Sequence, residues 1–270
     1  MEEARSNLSK PIAAAAAAVV LAAAGIGGYY WYQHQGASAP SAPSEAQAPA
    51  PAPAVSTAEA GPEYQYPIDE ANSDHTTTLE QSDEKILEAL AQLKGWRAAF
   101  LRLLVPKDLV RHIVATVDAL PSEKLSLQVL PTRPVPGLLQ VVGPDKAAVI
   151  ATSNAHRYEP YVQALTAVDT DELNKFYRHF YPLFQQAYRD LGYPKGYFND
   201  RLVEVIDDML EAPEPKGPIH VAAPRAMFHY SDADLEELPS GQKILVRVGL
   251  ANEAAIKAKL REIRQAVTTQ

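Results

Sequence analysis

Tyr181 to Leu210 reads YPLFQQAYRDLGYPKGYFNDRLVEVIDDML, and the kind of fold turns on whether its rings form a core or a site. Extended backwards, the stretch shows Leu173, Phe176, Tyr177, Phe180, Phe184, Ala187, Tyr188 and Leu191 at steps of three and four, one continuous helical face. Asp169, with Glu172 three residues later, is a capping-box-like start for that helix. Nine of the nineteen Tyr and Phe residues lie between Phe176 and Phe198, so most of the rings belong to a core. Pro182 removes one backbone donor inside the run, which predicts a kink and leaves the carbonyl of Arg178 in need of another partner. Gly192 ends the helix. Asn199 is expected to cap the next one, with Phe198 and Val203 as a hydrophobic staple and Leu202, Val205, Ile206, Met209 and Leu210 facing inward.

Between the two helices, Tyr193-Pro194-Lys195-Gly196-Tyr197 can continue neither. Two rings in a loop beside a positive helix end make Tyr193, Tyr197, Asn199, Asp200 and Arg201 the candidate set for binding an anionic or carbohydrate group. The competing reading is structural: both tyrosines pack down as a lid and Asp200 pairs with Arg201 or Arg178.

The surrounding sequence is mostly helical. Ser82, followed by Asp83 and Glu84, reads as a cap before Ile86, Leu87, Leu90 and Leu93. Trp96, Ala99, Phe100, Leu103 and Leu104 continue the stripe past Gly95. Pro106 suits the first turn of a third helix burying Leu109, Val110, Ile113, Val114 and Val117, and Pro121 stops it. LLQVV and AAVIA flank Gly143-Pro144-Asp145-Lys146 as a hairpin, while IHVAA and AMFHY around Pro224 add short strands. Ile244, Leu245 and Val248 give a short helix; Asn252 is expected to cap the last, with Ile256, Leu260, Ile263 and Val267 buried. The class is therefore mainly α with a small β-hairpin or sheet, an α+β fold, over residues 81–270.

Composition changes before residue 81. Residues 1–80 carry two basic and nine acidic residues, whereas the remainder carries 23 basic against 24 acidic. The near-neutral part offers nothing general for nucleic acid. Ile12 to Tyr32, an uncharged run of 21 residues, is long enough for a transmembrane helix. Arg5 and Lys10 precede it and no Lys or Arg follows until Lys85, so the positive-inside rule puts residues 1–11 in the cytoplasm. Tyr29 to Tyr32 supply an aromatic flank. Ala37-Ser38-Ala39 resembles a cleavage site, but bulky aromatics separate it from the aliphatic run and Pro40 follows it, which favours a retained anchor. From 33 to 80 the chain reads as a disordered, Pro/Ala-rich linker reaching on the order of 80 Å when stiff. Within it, Tyr64, Tyr66 and Ile68 are the residues able to dock.

Motifs for catalysis are weak. Zero cysteines exclude disulfides, thiolate metal sites and a cysteine nucleophile. Ser240-Gly241-Gln242-Lys243 matches S-x-x-K, but its companion motifs are missing and a helix start explains it. Glu204, Asp207, Asp208 and Glu211 share a helix face that reads as solvated rather than metal-binding. The histidines form neither H-E-x-x-H nor an i, i+4 pair. From Lys243 to Arg264 six basic residues stand against two acidic ones, a basic outer face suited to anionic lipid or polymer.

In order, the anchor, the Pro/Ala linker, LVPKDLVRHIVATVDALP, RYEPYV, the opening stretch and GQKILVRVG resemble a family of bacterial envelope proteins, the domain of unknown function 3014, with the match covering about Ile86 to Val267. The resemblance implies a Gram-negative inner-membrane protein with a periplasmic domain, and it implies no activity, catalytic residue or cofactor. The expectation is a single-pass membrane protein whose domain binds or scaffolds an envelope protein or cell-wall polymer, with no cofactor and no nucleic acid. The alternative is a cell-envelope hydrolase lacking a recognisable motif.

Overall fold

A computed structural model describes residues 64–144, 147–223 and 228–269. The expected anchor at 12–32 and the linker up to residue 63 lie outside the described residues. Among the described residues, seven helices carry the main apolar stripes: α1 (Ser82–Ala91), α3 (Leu109–Ala119), α4 (Glu159–Thr166), α5 (Thr170–Asp190), α6 (Phe198–Leu210), α8 (Ser240–Val248) and α9 (Leu250–Thr268). Single-turn helices α2 (Ala98–Leu101) and α7 (Ala233–Glu236) connect them. The hairpin and the strands around Pro224 form one antiparallel sheet in the order β1 (Val141–Val142), β2 (Ala148–Ile150), β3 (His220–Ala222), β4 (His229–Tyr230). The molecule is thus mainly helical with a small sheet.

Helix α5 obeys its sequence closely. The Asp169 carboxylate accepts from the amides of Asp171 and Glu172 at 3.0 and 3.2 Å, closing two of the four open donors of the first turn. Leu173, Phe176, Tyr177, Phe180, Phe184, Ala187 and Tyr188 are buried as the spacing requires, and Tyr181 joins them. Leu191 does not: it lies past the last helical turn and is exposed. The helix runs unbroken through Pro182, and the carbonyl that Pro182 leaves free is taken up from outside the helix. Ser73 Oγ donates to the carbonyl of Arg178 at 2.6 Å, and the amide of Asp74 donates to that of His179 at 2.7 Å.

Those two bonds bring in a segment assigned above to the disordered linker. Residues 64–80 are packed against the helices, with Ile68 and Leu79 inside the main core. The alternation of Tyr64, Tyr66 and Ile68 is the period of an extended chain with one side turned inward. It was masked by the polar residues around it.

Four helix starts differ from expectation. Asn199 lies within the first turn of α6, whose N-cap is Tyr197. Asn252 lies within α9, whose N-cap is Gly249 at φ 90°. Helix α3 begins at Leu109, three residues past Pro106, and its first amides are capped from another helix. Asp83 on α1 accepts from Asp108 N at 2.8 Å and Leu109 N at 2.9 Å. Ser82, the expected cap of α1, instead donates to the carbonyl of Leu79 at 2.8 Å.

Helix α9 is the spine, packed on α4, α5, α6 and α8, while α3 packs on α5 and α6. The sheet lies apart with a small core of Ala148, Val221, Tyr230 and Val246. No helix of the described residues is long and apolar enough to cross a membrane.

Candidate functional site

The five candidate residues sit where the α5–α6 connection enters α6, and they divide into two groups. Tyr197, Asn199 and Asp200 face an inner groove. The Asp200 carboxylate accepts from the amides of Gln65 at 3.0 Å and Tyr66 at 2.8 Å. Asn199 Nδ2 donates to the carbonyls of Tyr66 at 2.8 Å and Val267 at 3.1 Å. The Tyr197 hydroxyl accepts from the amide of Ile68 at 2.7 Å, and its ring stacks on Tyr64 with centroids 4.0 Å apart. The groove is therefore filled by the chain's own residues 64–68, held chiefly through backbone groups.

A buried polar network supports the groove. Gln185 Oε1 accepts from the Tyr181 hydroxyl at 3.0 Å and from the amide of Phe198 at 2.9 Å, while its Nε2 donates to the carbonyl of Gly196 at 2.8 Å. That network pins the connection to α5 and fixes the direction in which Tyr197 points. Burial pushes the Tyr181 and Tyr197 hydroxyls above their ordinary range, so both stay protonated at neutral pH. Two atoms of this region lack hydrogen-bond partners among the described residues: Tyr177 Oη and Asn199 Oδ1, on residues fully enclosed by the fold.

Tyr193 and Arg201 form the second group, at an outer edge. Both converge on Asp118 at the end of α3. The Tyr193 hydroxyl donates to Asp118 Oδ2 at 3.1 Å, and Arg201 donates through Nε to Oδ1 at 2.9 Å. A further Arg201 amino group reaches the Asp118 carbonyl at 2.9 Å, where it also serves the end of the helix. The structure thus pairs Arg201 with Asp118 and Glu204, not with Asp200. Tyr193 stacks on Tyr188 at 4.6 Å yet keeps 42% of its surface exposed. Its hydrogen bond to Asp118 raises the Tyr193 phenol, and burial lifts Tyr188 to about 12.

Other candidates are absorbed by the fold. Glu204 pairs with Arg201, Asp207 with Arg264, and Asp208 accepts from Gln242 Nε2 at 3.1 Å. No group of three or more metal-binding side chains occurs among the described residues. The basic outer face is overturned: Lys257 and Lys259 point inward. Lys257 Nζ lies 2.9 Å from buried Glu253 and donates to the carbonyl of Ala212 at 2.6 Å. Lys259 Nζ donates to the carbonyl of Val168 at 2.9 Å and to Glu262 at 2.7 Å. Charge counting missed this because it ignores direction. Ser240 opens α8 through its amide, which donates to the carbonyl of Ser122 at 2.8 Å.

Fold and site together define a helix-rich α+β domain that grips the segment leading into it. The chain belongs to the family described as proteins of unknown function (DUF3014), whose pattern matches residues 109–264, more than half of the chain. The match contains the whole α5–α6 region and Asp118, and it leaves residues 64–68 outside. No curated protein and no solved structure matches the chain.

Proposed function

We propose that this is a single-pass inner-membrane protein whose mainly helical periplasmic domain acts as a binding or scaffolding module in the cell envelope. The uncharged run 12–32, the basic residues before it and the Pro/Ala segment after it support the address. The observation that carries the binding role is the open Tyr193 ring. It is held flat on Tyr188, fixed at its hydroxyl by Asp118, and set beside the Arg201–Glu204 pair. An exposed, pre-oriented ring next to fixed charges suits a sugar ring bearing polar or anionic substituents, because stacking and hydrogen bonding are then available with little ordering cost.

Two measurements test the reading. A reporter active only in the periplasm, fused after Gln270, is expected to be on; recovery of mature protein beginning at Pro40 would remove the anchor. Co-sedimentation of the full chain with isolated cell-wall polymer is expected to fall at least fivefold in Tyr193→Ala while the unfolding midpoint holds. Equal loss of binding and stability would make the edge structural.

A further inference from the structure

We infer that the free edge of β1 is a self-association surface, on which a second copy of this chain pairs antiparallel through Leu138 to Val142 with Gln140 at the centre. The sequence itself is symmetric there. Residues 136–144 read PGLLQVVGP, with Pro, Gly and two aliphatic residues in mirror order on either side of Gln140. An antiparallel pair reads its strands in opposite directions, so this register sets Pro136 against Pro144, Gly137 against Gly143 and Leu138 against Val142 of the second copy. The backbone repeats the symmetry. Gly137 and Gly143 have φ of 79° and 96°, a left-handed turn at each end that confines the extended stretch between them.

The edge is open where this pairing needs it. The sheet runs β1-β2-β3-β4, so β1 and β4 are its margins. At β4 the outward amide of Tyr230 is closed by Glu236 of α7 at 2.8 Å. At β1, Gln140 turns both main-chain groups inward, its carbonyl accepting from Ala151 N at 2.8 Å and its amide donating to Asn154 Oδ1 at 3.1 Å. Alternation therefore directs the main-chain groups of Leu139 and Val141 away from β2. In agreement, the amide of Ile150, the residue opposite Val141, goes to the carbonyl of Ile219 instead. The register centred on Gln140 brings these outward groups together, Leu139 with Val141 of the second copy. The side chains fit the same register: Leu138 and Val142, 67% and 55% exposed, lie on one face and cover each other across the junction. No charged residue stands between Arg133 and Asp145, so no like charges oppose the approach, and the edge lacks the charge that commonly keeps a strand single.

Mirror order is what singles out a second copy as the occupant. A foreign strand needs the same outward main-chain groups but no symmetry about Gln140, whereas a two-fold contact uses one patch twice and requires each position to suit its mirror. The pairing joins the two four-stranded sheets into one. A strand of this length covers well under the roughly 800 Å² per partner of a standard interface, so the dimer is a weak one, set by concentration.

The inference rests neither on the Tyr193 edge nor on the membrane anchor. The chain has no cysteine, so single introduced thiols report the register. Full chain in detergent carrying Gln140→Cys would be oxidised with copper phenanthroline and run on a non-reducing gel. The central, non-hydrogen-bonded pair places its Cα atoms about 4.5 Å apart, within disulfide reach, so a covalent dimer is expected. Leu138→Cys alone should give at least tenfold less, because position 138 of one copy lies about 13 Å along the strand from position 138 of the other. Leu138→Cys mixed with Val142→Cys should give the dimer again. Adding Leu138→Lys to Gln140→Cys should lower the yield at least fivefold, and adding Val142→Glu as well should restore it through opposite charges across the junction. A Gln140→Cys chain that keeps the wild-type unfolding midpoint and stays monomeric would overturn the proposal and leave the edge to a foreign strand. Equal dimer from Gln140→Cys and Leu138→Cys would also overturn it, by showing chance collision or association elsewhere. Gln140 accepts from Ser153 Oγ at 2.6 Å; if losing that bond unfolds the chain, the mixture of Leu138→Cys with Val142→Cys decides alone, and its failure to cross-link overturns the register.

Discussion

Removing the Phe184 ring tests the core reading at the scale of one residue. Phe184 is fully buried and contacts the Tyr177 and Phe198 rings, so Phe184→Ala is expected to cost about 3–5 kcal/mol in denaturant unfolding. Tyr177→Phe should behave in the opposite way. The Tyr177 hydroxyl is buried without a partner among the described residues, and burial raises it well above the ordinary tyrosine range. Deleting that oxygen is expected to leave stability unchanged or raise it by about 1 kcal/mol; a clear loss would reveal a hidden partner. Gly95 is a third single-residue test. Its φ is 89°, and an added Cβ would lie 1.8 Å from the carbonyl oxygen of Ala167. Gly95→Ala must shift the α1–α2 connection away from the end of α4, and a thermal midpoint within error of wild type would refute that.

Among the elements, legibility followed the range of the interaction. The α5 stripe, the Asp169 cap and the free carbonyl at Arg178 were readable because each is set within one or two turns. The helix starts at Asn199 and Asn252 were misplaced because a good capping residue can do something better elsewhere: Asn199 reaches Tyr66 and Val267, and Asn252 donates to the carbonyl of Ala155 at 3.0 Å. Lys257 and Lys259 give a milder lesson. Their spacing from Leu260 and Ile263 places them beside the apolar stripe, so an inward course was visible in the helical period although not in the charge count. The turn at Asp74 makes an element-scale prediction. Burial pushes the Asp74 carboxyl up, but hydrogen bonds from the side chains and amides of Thr76 and Thr77 outweigh it and hold it well below its ordinary value of 3.8. The folded chain thus binds this proton more weakly than the unfolded chain, and acidification favours unfolding. The stabilisation is in force above pH 3.8 and falls away as pH drops toward the lowered folded value. Asp74→Asn should cost about 1 kcal/mol at pH 7, and the gap from wild type should narrow at pH 3 in paired urea titrations.

For the whole molecule, the decisive difference between sequence and structure is where the packed part begins. Residue 81 is a reasonable boundary from composition, since every long apolar stripe lies beyond it. Yet Ile68 and Leu79 are buried in the main core, and Ser73 and Asp74 supply bonds to the α5 carbonyls around Pro182. Partners separated by 129 to 135 residues along the chain, as at Tyr197 and Asp200, leave no local trace in the sequence. The consequence is measurable by comparing fragments 64–270 and 82–270. Cutting at 82 uncovers the pockets of two apolar side chains, each contributing about 1.5–3 kcal/mol when fully buried, and again strands the carbonyl of Arg178. A loss of about 3–6 kcal/mol follows, a large part of the 5–15 kcal/mol that holds a typical domain. Fragment 64–270 should therefore unfold in one cooperative urea transition, while 82–270 should unfold at markedly lower urea or bind a hydrophobic dye before unfolding. Coincident transitions for the two fragments would mean that residues 64–80 lie on the fold without supporting it.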